Sequence, residues 1–337
     1  MNATLAHYAN YSIYSAIVVL TLSMLAYAAY LARAVPARAG DRERVLVGAG
    51  GVASQSASPV GAGSTSAGSS SATDPGDDEG ASAGEPAAYG QKMGRIAGNF
   101  AWLGTLLLGA AVVLRGLSVQ RAPFGNLFEF VSAASLAVML AFCLWSQRRD
   151  LRWLGVFVVT PVLLLLLLAT QVLYTQAAAL MPALQSYWLT IHVTVAIISV
   201  GIFTLAGIVT ALYLVMDHYE RRGAELPRWA RLLPRAADLE RTSYSMHIVA
   251  FPLWTFTVMA GAIWARQAWA SYWNWDPKEV WSFVIWVVYA AYLHARATTG
   301  ITRQKAAWIA LAGLTCIVVN YTIVNVYFVG QHSYSGL

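Results

Sequence analysis

The stretch WLGVFVVTPVLLLLLLATQVLY, residues 153–174, decides the fold of this protein. It has no charged side chain, and a helix needs only ~20 apolar residues to cross ~30 Å of hydrocarbon. The rest of the chain has the same character: 58% of its 337 residues are hydrophobic and only 11% are charged, against roughly 25% in soluble domains. The sequence therefore predicts an integral membrane protein.

Seven further apolar segments are close to the length needed to span a bilayer. We therefore predict an all-α polytopic protein with about eight transmembrane helices. The first segment has no clear cleavage site, so it is interpreted as a retained helix rather than a signal peptide. The predicted spans are about 11–32, 97–115, 125–146, 153–174, 187–216, 246–266, 279–297 and 307–329.

The basic residues predict the orientation, because Lys and Arg are enriched in cytoplasmic loops. Of the 22 Lys and Arg residues, all but Arg115, Arg121, Arg266 and Lys278 fall on one side of the predicted topology. That side is predicted to be cytoplasmic, which puts both termini on the outer face of the membrane. The net charge of +6 mostly reflects this asymmetry, so it does not indicate nucleic-acid binding.

Composition divides the chain into three parts. Residues 1–32 hold the first predicted helix, residues 33–94 form a cytoplasmic low-complexity linker, and residues 95–337 form a seven-helix membrane domain. Gly, Ala, Ser and Pro dominate residues 48–90, and such a composition cannot bury enough apolar surface to fold. The linker is therefore predicted to be largely disordered.

The predicted external segment 266–281 combines tryptophans with charged groups in the sequence WASYWNWDPKEVW, residues 269–281. A tryptophan belt at the bilayer interface would not add acidic and basic side chains in contiguous order. The cluster therefore indicates a flat aromatic ligand held at the membrane surface.

The charged end of this cluster also has a structural interpretation. Asp276, Pro277 and Glu279 match the N-cap, the first position and the third position of a capping box. The seventh helix is therefore predicted to begin directly after the tryptophans. Its positive dipole end and Lys278 would favour an anion, for instance a carboxylate of the ligand.

Three histidines are the main candidates for binding such a ligand. His192 and His332 are both predicted near the outer face, and two imidazoles on opposite sides of a planar macrocycle are what bis-histidine haem ligation requires. His294 is predicted roughly 24 Å further inward along the seventh helix, where an ionisable group is a functional candidate. It could equally extend towards the cytoplasmic surface beside Arg296. His247, at a similar depth, is a weaker candidate.

At these residues the chain resembles the haem-handling WWD-domain proteins of cytochrome c biogenesis, and most closely the CcsA/ResC type of the System II synthase. The WWD stretch carries most of the resemblance, although Ala270 stands where glycine is usual and Val280 where threonine is common. Weaker motifs flank it: PFGNLFE at 123–129, FPL at 251–253, GAIWA at 261–265, YAAYLHAR at 289–296 and GQHSY at 330–334.

The resemblance implies haem b as the ligand. His192 and His332 would be axial iron ligands at an external site, and His294 would be the iron ligand of an inner site. The external platform would comprise Trp269, Trp273, Trp275 and Asp276. No catalytic residue is assigned.

The resemblance also implies partners. A CcsB/ResB-type membrane subunit would complete the inner site, and haem would be presented to apocytochrome c, whose CxxCH thiols add to the vinyl groups. The chain is expected to act within such a holocytochrome c synthase (haem lyase) complex. Cys143 and Cys316 form no CxxC pair, so the thiols would need a thioredoxin-like reductant and its membrane electron donor.

Two other functions remain open from the residues alone. A b-type haem electron-transfer subunit would use histidine pairs stacked within the membrane, for which only His247 and His294 could form an inner pair. A transporter of another amphipathic substrate would use the histidines as proton relays, but that function leaves the tryptophans unexplained.

Overall fold

The computed structural model describes residues 2–53, 85–177, 186–298 and 300–332. It contains eight long helices, each apolar enough to cross a membrane, and the described ranges contain no strand. This confirms the predicted all-α fold with eight spans. The helices are α1 (Ala3–Ala53), α2 (Glu85–Val119), α3 (Leu127–Arg148), α4 (Gly155–Gln171), α5 (Tyr187–Arg222), α6 (Ala236–Trp269), α7 (Pro277–Ala297) and α8 (Arg303–Val319).

Helices extend into both ends of the predicted linker. The α1 helix continues to Ala53 and α2 begins at Glu85, so both helices include residues of the predicted 33–94 linker. A helix already formed in the membrane extends at little cost, since nucleation is complete. Residues 54–84 lie outside the described residues, so the disorder predicted there stays a prediction.

The α5 helix lies at the centre of the bundle, where it packs against α3, α6 and α8. Phe203, Leu205 and Val209 on α5 are fully buried. A Cβ atom added to Gly201 would lie about 3.0–3.1 Å from atoms of Ala137 and Val138 on α3, so glycine is what allows this close approach. The outermost helices instead expose leucines, because a bundle in a bilayer presents apolar side chains to lipid.

The connections at one end of the bundle form the site described below. Residues 270–276 join α6 to α7 there, and we call this end the tryptophan end. The α2–α3 connection and the segment after α8 lie at the same end, because Phe124, Asn126 and His332 line one cavity with Trp273. The tryptophan end is therefore built from segments far apart in sequence.

A buried ion-pair network fixes the α2–α3 connection. The Glu129 carboxylate accepts hydrogen bonds from Arg115 Nε at 3.1 Å, Arg121 Nη1 at 2.7 Å and the backbone N–H of Gly125 at 2.8 Å. The Asn126 side chain caps α3 by accepting from the Glu129 backbone N–H at 2.9 Å. This network holds the connection against the wall of the cavity.

At the opposite end, the Glu240 carboxylate on α6 pairs with Arg296 of α7 and lies 3.8 Å from the Arg303 guanidinium. Each end of the bundle therefore has a carboxylate that joins neighbouring segments. Both cysteines, Cys143 and Cys316, are free, in agreement with the absence of a CxxC motif.

Candidate functional site

The tryptophan loop is held by the start of α7. Asp276 is the N-cap, and its Oδ1 accepts a hydrogen bond from the Lys278 backbone N–H at 3.0 Å. Glu279 Oε2 accepts from the backbone N–H groups of Asn274 at 2.8 Å and Asp276 at 3.2 Å. The predicted capping box is therefore confirmed. It shapes the loop as well as the helix, because Asn274 lies outside the helix.

Two residues of this loop have a left-handed backbone. Ala270 has φ 60° where it ends α6, and Trp275 has φ 59°. A residue with a Cβ adopts this conformation at a cost that glycine avoids. The requirement for positive φ at position 270 explains why glycine is usual there in the family that the chain resembles.

His332 is tied to the capping residue of α7. Its Nδ1 donates to Asp276 Oδ1 at 2.8 Å, and the Gln331 backbone N–H donates to Asp276 Oδ2 at 2.5 Å. Burial raises the pKa of the Asp276 carboxyl, but His332 and the backbone N–H donors outweigh burial, so its pKa is lowered overall. The carboxylate therefore holds the His332 ring through Nδ1 and leaves Nε2 available.

His192 is held in the same way by a different acceptor. On α5, its Nδ1 lies 2.9 Å from the backbone carbonyl oxygen of Thr257 on α6. Because a carbonyl can only accept, Nδ1 carries the proton and Nε2 is left with its lone pair. Gly261 makes room for the ring, since a Cβ there would lie 2.8 Å from His192 Cε1.

Trp264 on α6 connects the two histidines. Its ring is stacked on His192 at 6.1 Å between centroids and is edge-on to His332 at 5.6 Å. Its side chain is almost fully buried, and its Nε1 has no hydrogen-bond partner in the described residues. Trp264 was not among the site residues predicted from the sequence. Its spacing from Gly261 could have indicated a role, because residues three positions apart lie on one face of a helix.

The cavity at the tryptophan end brings together three of the seven predicted site residues, His192, Trp273 and His332. His192, His332, Trp264 and Trp273 line it, and Trp269 contacts the His332 ring edge-on at 4.8 Å. Phe130 of α3 and Tyr321 after α8 form another part of the wall, stacked at 4.7 Å. The site therefore has two imidazoles in a cavity lined mainly by aromatic and aliphatic residues.

Of the four predicted platform residues, Trp273 lines the cavity, whereas Trp269, Trp275 and Asp276 lie outside its lining. Asp276 lies behind His332 and acts on the site through that ring. The Trp275 side chain is 77% exposed and meets Trp273 edge-on at 5.9 Å. Trp275 therefore extends the aromatic surface outward from the cavity.

His294 is not part of this site. It lies in the last turn of α7 at the opposite end of the bundle, where it is exposed. His247 is fully buried on α6, its Nδ1 2.9 Å from the Ser243 carbonyl oxygen, with the rings of Phe203, Tyr289 and Tyr292 around it. The two inner histidines therefore have different surroundings.

The region of the chain that is similar to known proteins contains the site. A family model described as "Cytochrome C assembly protein" matches residues 124–332, a span from the α2–α3 connection to His332. The matched region thus includes every element that lines the cavity.

Curated relatives named "Cytochrome c biogenesis protein CcsA" match over most of their length. The protein from Guillardia theta is 31% identical over 251 residues, covering 69% of this chain and 82% of the relative. The protein from Prochlorococcus marinus (strain MIT 9303) is 33% identical, covering 69% and 81%. The protein from Synechococcus sp. (strain CC9902) is 35% identical, covering 68% and 83%. The chain therefore belongs to the cytochrome c assembly protein family and is a CcsA-type cytochrome c biogenesis protein of the membrane.

Proposed function

We propose that this chain binds haem b at the tryptophan end, with His192 and His332 as axial iron ligands, and presents it for attachment to apocytochrome c. One observation carries the proposal. Both imidazoles line the same cavity, and each has its Nδ1 held by an oxygen acceptor, which leaves Nε2 for a metal. Metal-binding histidines in proteins are usually oriented in this way.

The surroundings of the histidines fit a porphyrin. Trp264 and Trp273 line the cavity with apolar residues such as Val193 and Ala196, and Trp269 borders the His332 ring. Aromatic faces suit a flat, apolar macrocycle. Trp275 adds an exposed aromatic face beside Trp273, at the surface where an apocytochrome segment would arrive.

We propose that the tryptophan end faces the outside of the plasma (inner) membrane, with both termini on that side. The positive-inside distribution of Lys and Arg supports this orientation. The opposite end would then be cytoplasmic and would carry the 54–84 connection. This orientation exposes the haem site to the compartment in which c-type cytochromes mature.

We further propose His294 as the iron ligand of an inner site shared with a CcsB/ResB-type subunit. Its exposure at the far end of α7 supports this role, because a partner subunit can reach an exposed histidine and supply the rest of the site. Haem would move from that site to the tryptophan end. The buried His247 already donates to a backbone carbonyl and serves a packing role in this proposal.

Attachment requires little chemistry from the chain itself. In each thioether bond the apocytochrome sulfur joins one vinyl carbon and its proton goes to the other, so no oxidant is consumed. The residues of the chain would hold the macrocycle and bring its edge to the CxxCH segment, which is catalysis by positioning. Because the chain has no CxxC, a thioredoxin-like donor and its membrane electron source would keep the thiols reduced.

The test is the absorption spectrum of the chain purified with its partner. A bis-imidazole haem spectrum is expected, and His192→Ala or His332→Ala should each weaken haem retention and abolish cytochrome c maturation. Added imidazole should restore part of the haem signal in both variants. His218→Ala, an exposed histidine at the opposite end, is the matched control. Normal maturation in both site variants would refute the proposal.

The same spectrum separates the alternatives left open by the sequence. A transporter of another amphipathic substrate would purify without haem. An electron-transfer subunit would show haem reduction in step with quinol oxidation. The inner histidines do not favour that second function, because His247 is buried against Ser243 whereas His294 is exposed.

A further inference from the structure

We propose that Lys278 and Asn320 form a carboxylate-binding subsite in the cavity, and that one haem propionate occupies it. This inference rests on the proposed haem function and deepens it, because it assigns the orientation of the macrocycle. Both residues line the same cavity as His192 and His332. The subsite therefore lies within the enclosure that would hold the porphyrin.

The Lys278 ammonium group has N–H donors available for a ligand. Its Nζ donates to the backbone carbonyl oxygen of Asn320 at 2.9 Å and lies 4.6 Å from the centre of the Tyr321 ring. An ammonium group has three N–H donors, and no ion pair between described residues includes Lys278. A positive charge is thus held at the cavity wall without a carboxylate of the described residues paired to it.

Asn320 is the second, independent observation. Its side chain is 1% exposed, and its Oδ1 has no hydrogen-bond partner in the described residues. A buried amide oxygen without a partner is unfavourable, so Oδ1 of Asn320 in the cavity wall indicates a missing ligand. The two amide atoms can exchange places by rotation, so Asn320 can present its N–H₂ donors to a carboxylate.

The backbone at Asn320 also departs from the regular α-helix. After α8 the chain forms a π-helical turn, Asn320–Val324, and such turns often occur at functional sites. The regular α-helical pattern of hydrogen bonds changes there, and the Asn320 carbonyl accepts a hydrogen bond from Lys278 Nζ. The turn thereby joins the end of α8 to the start of α7 and brings the lysine and the amide to one wall.

The N-terminus of α7 is less suited to hold the anion itself. The Lys278 backbone N–H donates to Asp276, and the Glu279 carboxylate occupies the N–H groups of Asn274 and Asp276. Two carboxylates of the chain already neutralise that end. The Lys278 side chain, directed to Asn320 and Tyr321, is the cation that remains for a ligand carboxylate.

The proposed subsite takes one carboxylate, whereas haem carries two. A charge-assisted hydrogen bond is stronger than a neutral one, so the propionate on Lys278 would fix one edge of the macrocycle at the α7–α8 side. The edge bearing the vinyl groups would then point away from Lys278. This is the edge that must meet the apocytochrome thiols.

The experiment compares haem with haem dimethyl ester, in which both propionates are methylated and uncharged. Each is titrated into the haem-free complex of the chain with its partner, and Soret absorbance gives the dissociation constants. The intact complex is expected to bind haem on the order of tenfold to a hundredfold more tightly than the ester. In Lys278→Met this preference should fall close to one, with the affinity for the ester nearly unchanged.

Three further variants keep the test decisive. Lys278→Arg retains the charge and should keep the preference for haem. Asn320→Asp puts a negative charge in the subsite and should weaken haem binding but not ester binding. Lys305→Met, at the opposite end of the bundle, should behave as the wild-type chain. An unchanged preference in Lys278→Met, with the bis-imidazole spectrum intact, would overturn the subsite alone. Failure of the wild-type complex to bind either ligand would overturn the haem function as well.

Discussion

The Nδ1 atom of His332 lies 2.8 Å from Oδ1 of Asp276, the residue that caps α7. The same carboxylate accepts from the backbone N–H groups of Lys278 and Gln331. Asp276 therefore begins a helix, anchors the segment after α8 and orients a proposed iron ligand. Separating these roles requires a substitution that keeps the cap.

Asp276→Asn is such a substitution, because asparagine is also a good N-cap. We expect α7 to remain folded and the haem affinity of the complex to fall about tenfold to a hundredfold, as is typical when the partner of a metal-binding histidine is lost. Absorbance titration measures the affinity, and circular dichroism checks the helix content. Unchanged haem affinity would mean that Asp276 does not orient the proposed iron ligand.

The lowered pKa of Asp276 predicts a pH dependence. The ionised carboxylate stabilises the folded state, so its contribution is complete above the ordinary aspartate pKa of about 3.9. It is lost as the pH falls through the lower pKa of the folded protein. The difference in melting temperature between the wild-type chain and Asp276→Asn should therefore shrink as the pH falls below about 4. A difference that vanishes between pH 7 and 5 would contradict this assignment.

Gly261→Ala should displace His192, because the new Cβ would lie 2.8 Å from Cε1 and 3.0 Å from Nδ1 of its ring. The expected result is loss of the bis-imidazole spectrum, with most of the protein still folded. Gly98→Ala on α2 is the matched control, since its Cβ would meet only the Tyr27 hydroxyl at 3.9 Å. Equal spectra for the two variants would show that the ring of His192 can move without consequence.

Glu129→Gln should destabilise the tryptophan end, because it removes the carboxylate shared by two buried arginines. Breaking a buried ion pair typically costs about 3–5 kcal/mol in the free energy of unfolding. Asp150→Asn is the control, since its pair with Arg152 is partly exposed and such pairs contribute about 0–1 kcal/mol. Unfolding in mixed detergent micelles would compare them, and similar losses would contradict the structural role of Glu129.

His294→Ala and His247→Ala should affect different properties, namely haem content and thermal stability. Removing the exposed His294 should lower the haem content of the complex without changing the melting temperature of the chain. Removing the fully buried His247 should lower the melting temperature, because it leaves a cavity among Phe203, Tyr289 and Tyr292. Equal haem loss in both variants would mean that the inner ligand has been misassigned.

The local features of the site were predictable from the sequence. The cap formed by Asp276 and Glu279 depends on residues three positions apart, and the eight spans depend on runs of adjacent apolar residues. Trp264 was missed as a site residue because its partners, His192 and His332, are far from it in sequence. A single sequence does not encode which distant side chains meet.

The sequence by itself determined the membrane class, the number of helices, the start of α7 and the family, because each of these depends on neighbouring residues or on their order along the chain. Only the tertiary structure decided which groups share the cavity and what holds them. The carbonyl of Thr257 on His192, the carboxylate of Asp276 on His332 and the contact between Lys278 and Asn320 all join different segments. The physical reason is that hydrogen bonds and ring contacts act over a few ångströms in space, so helix packing and not sequence distance selects them.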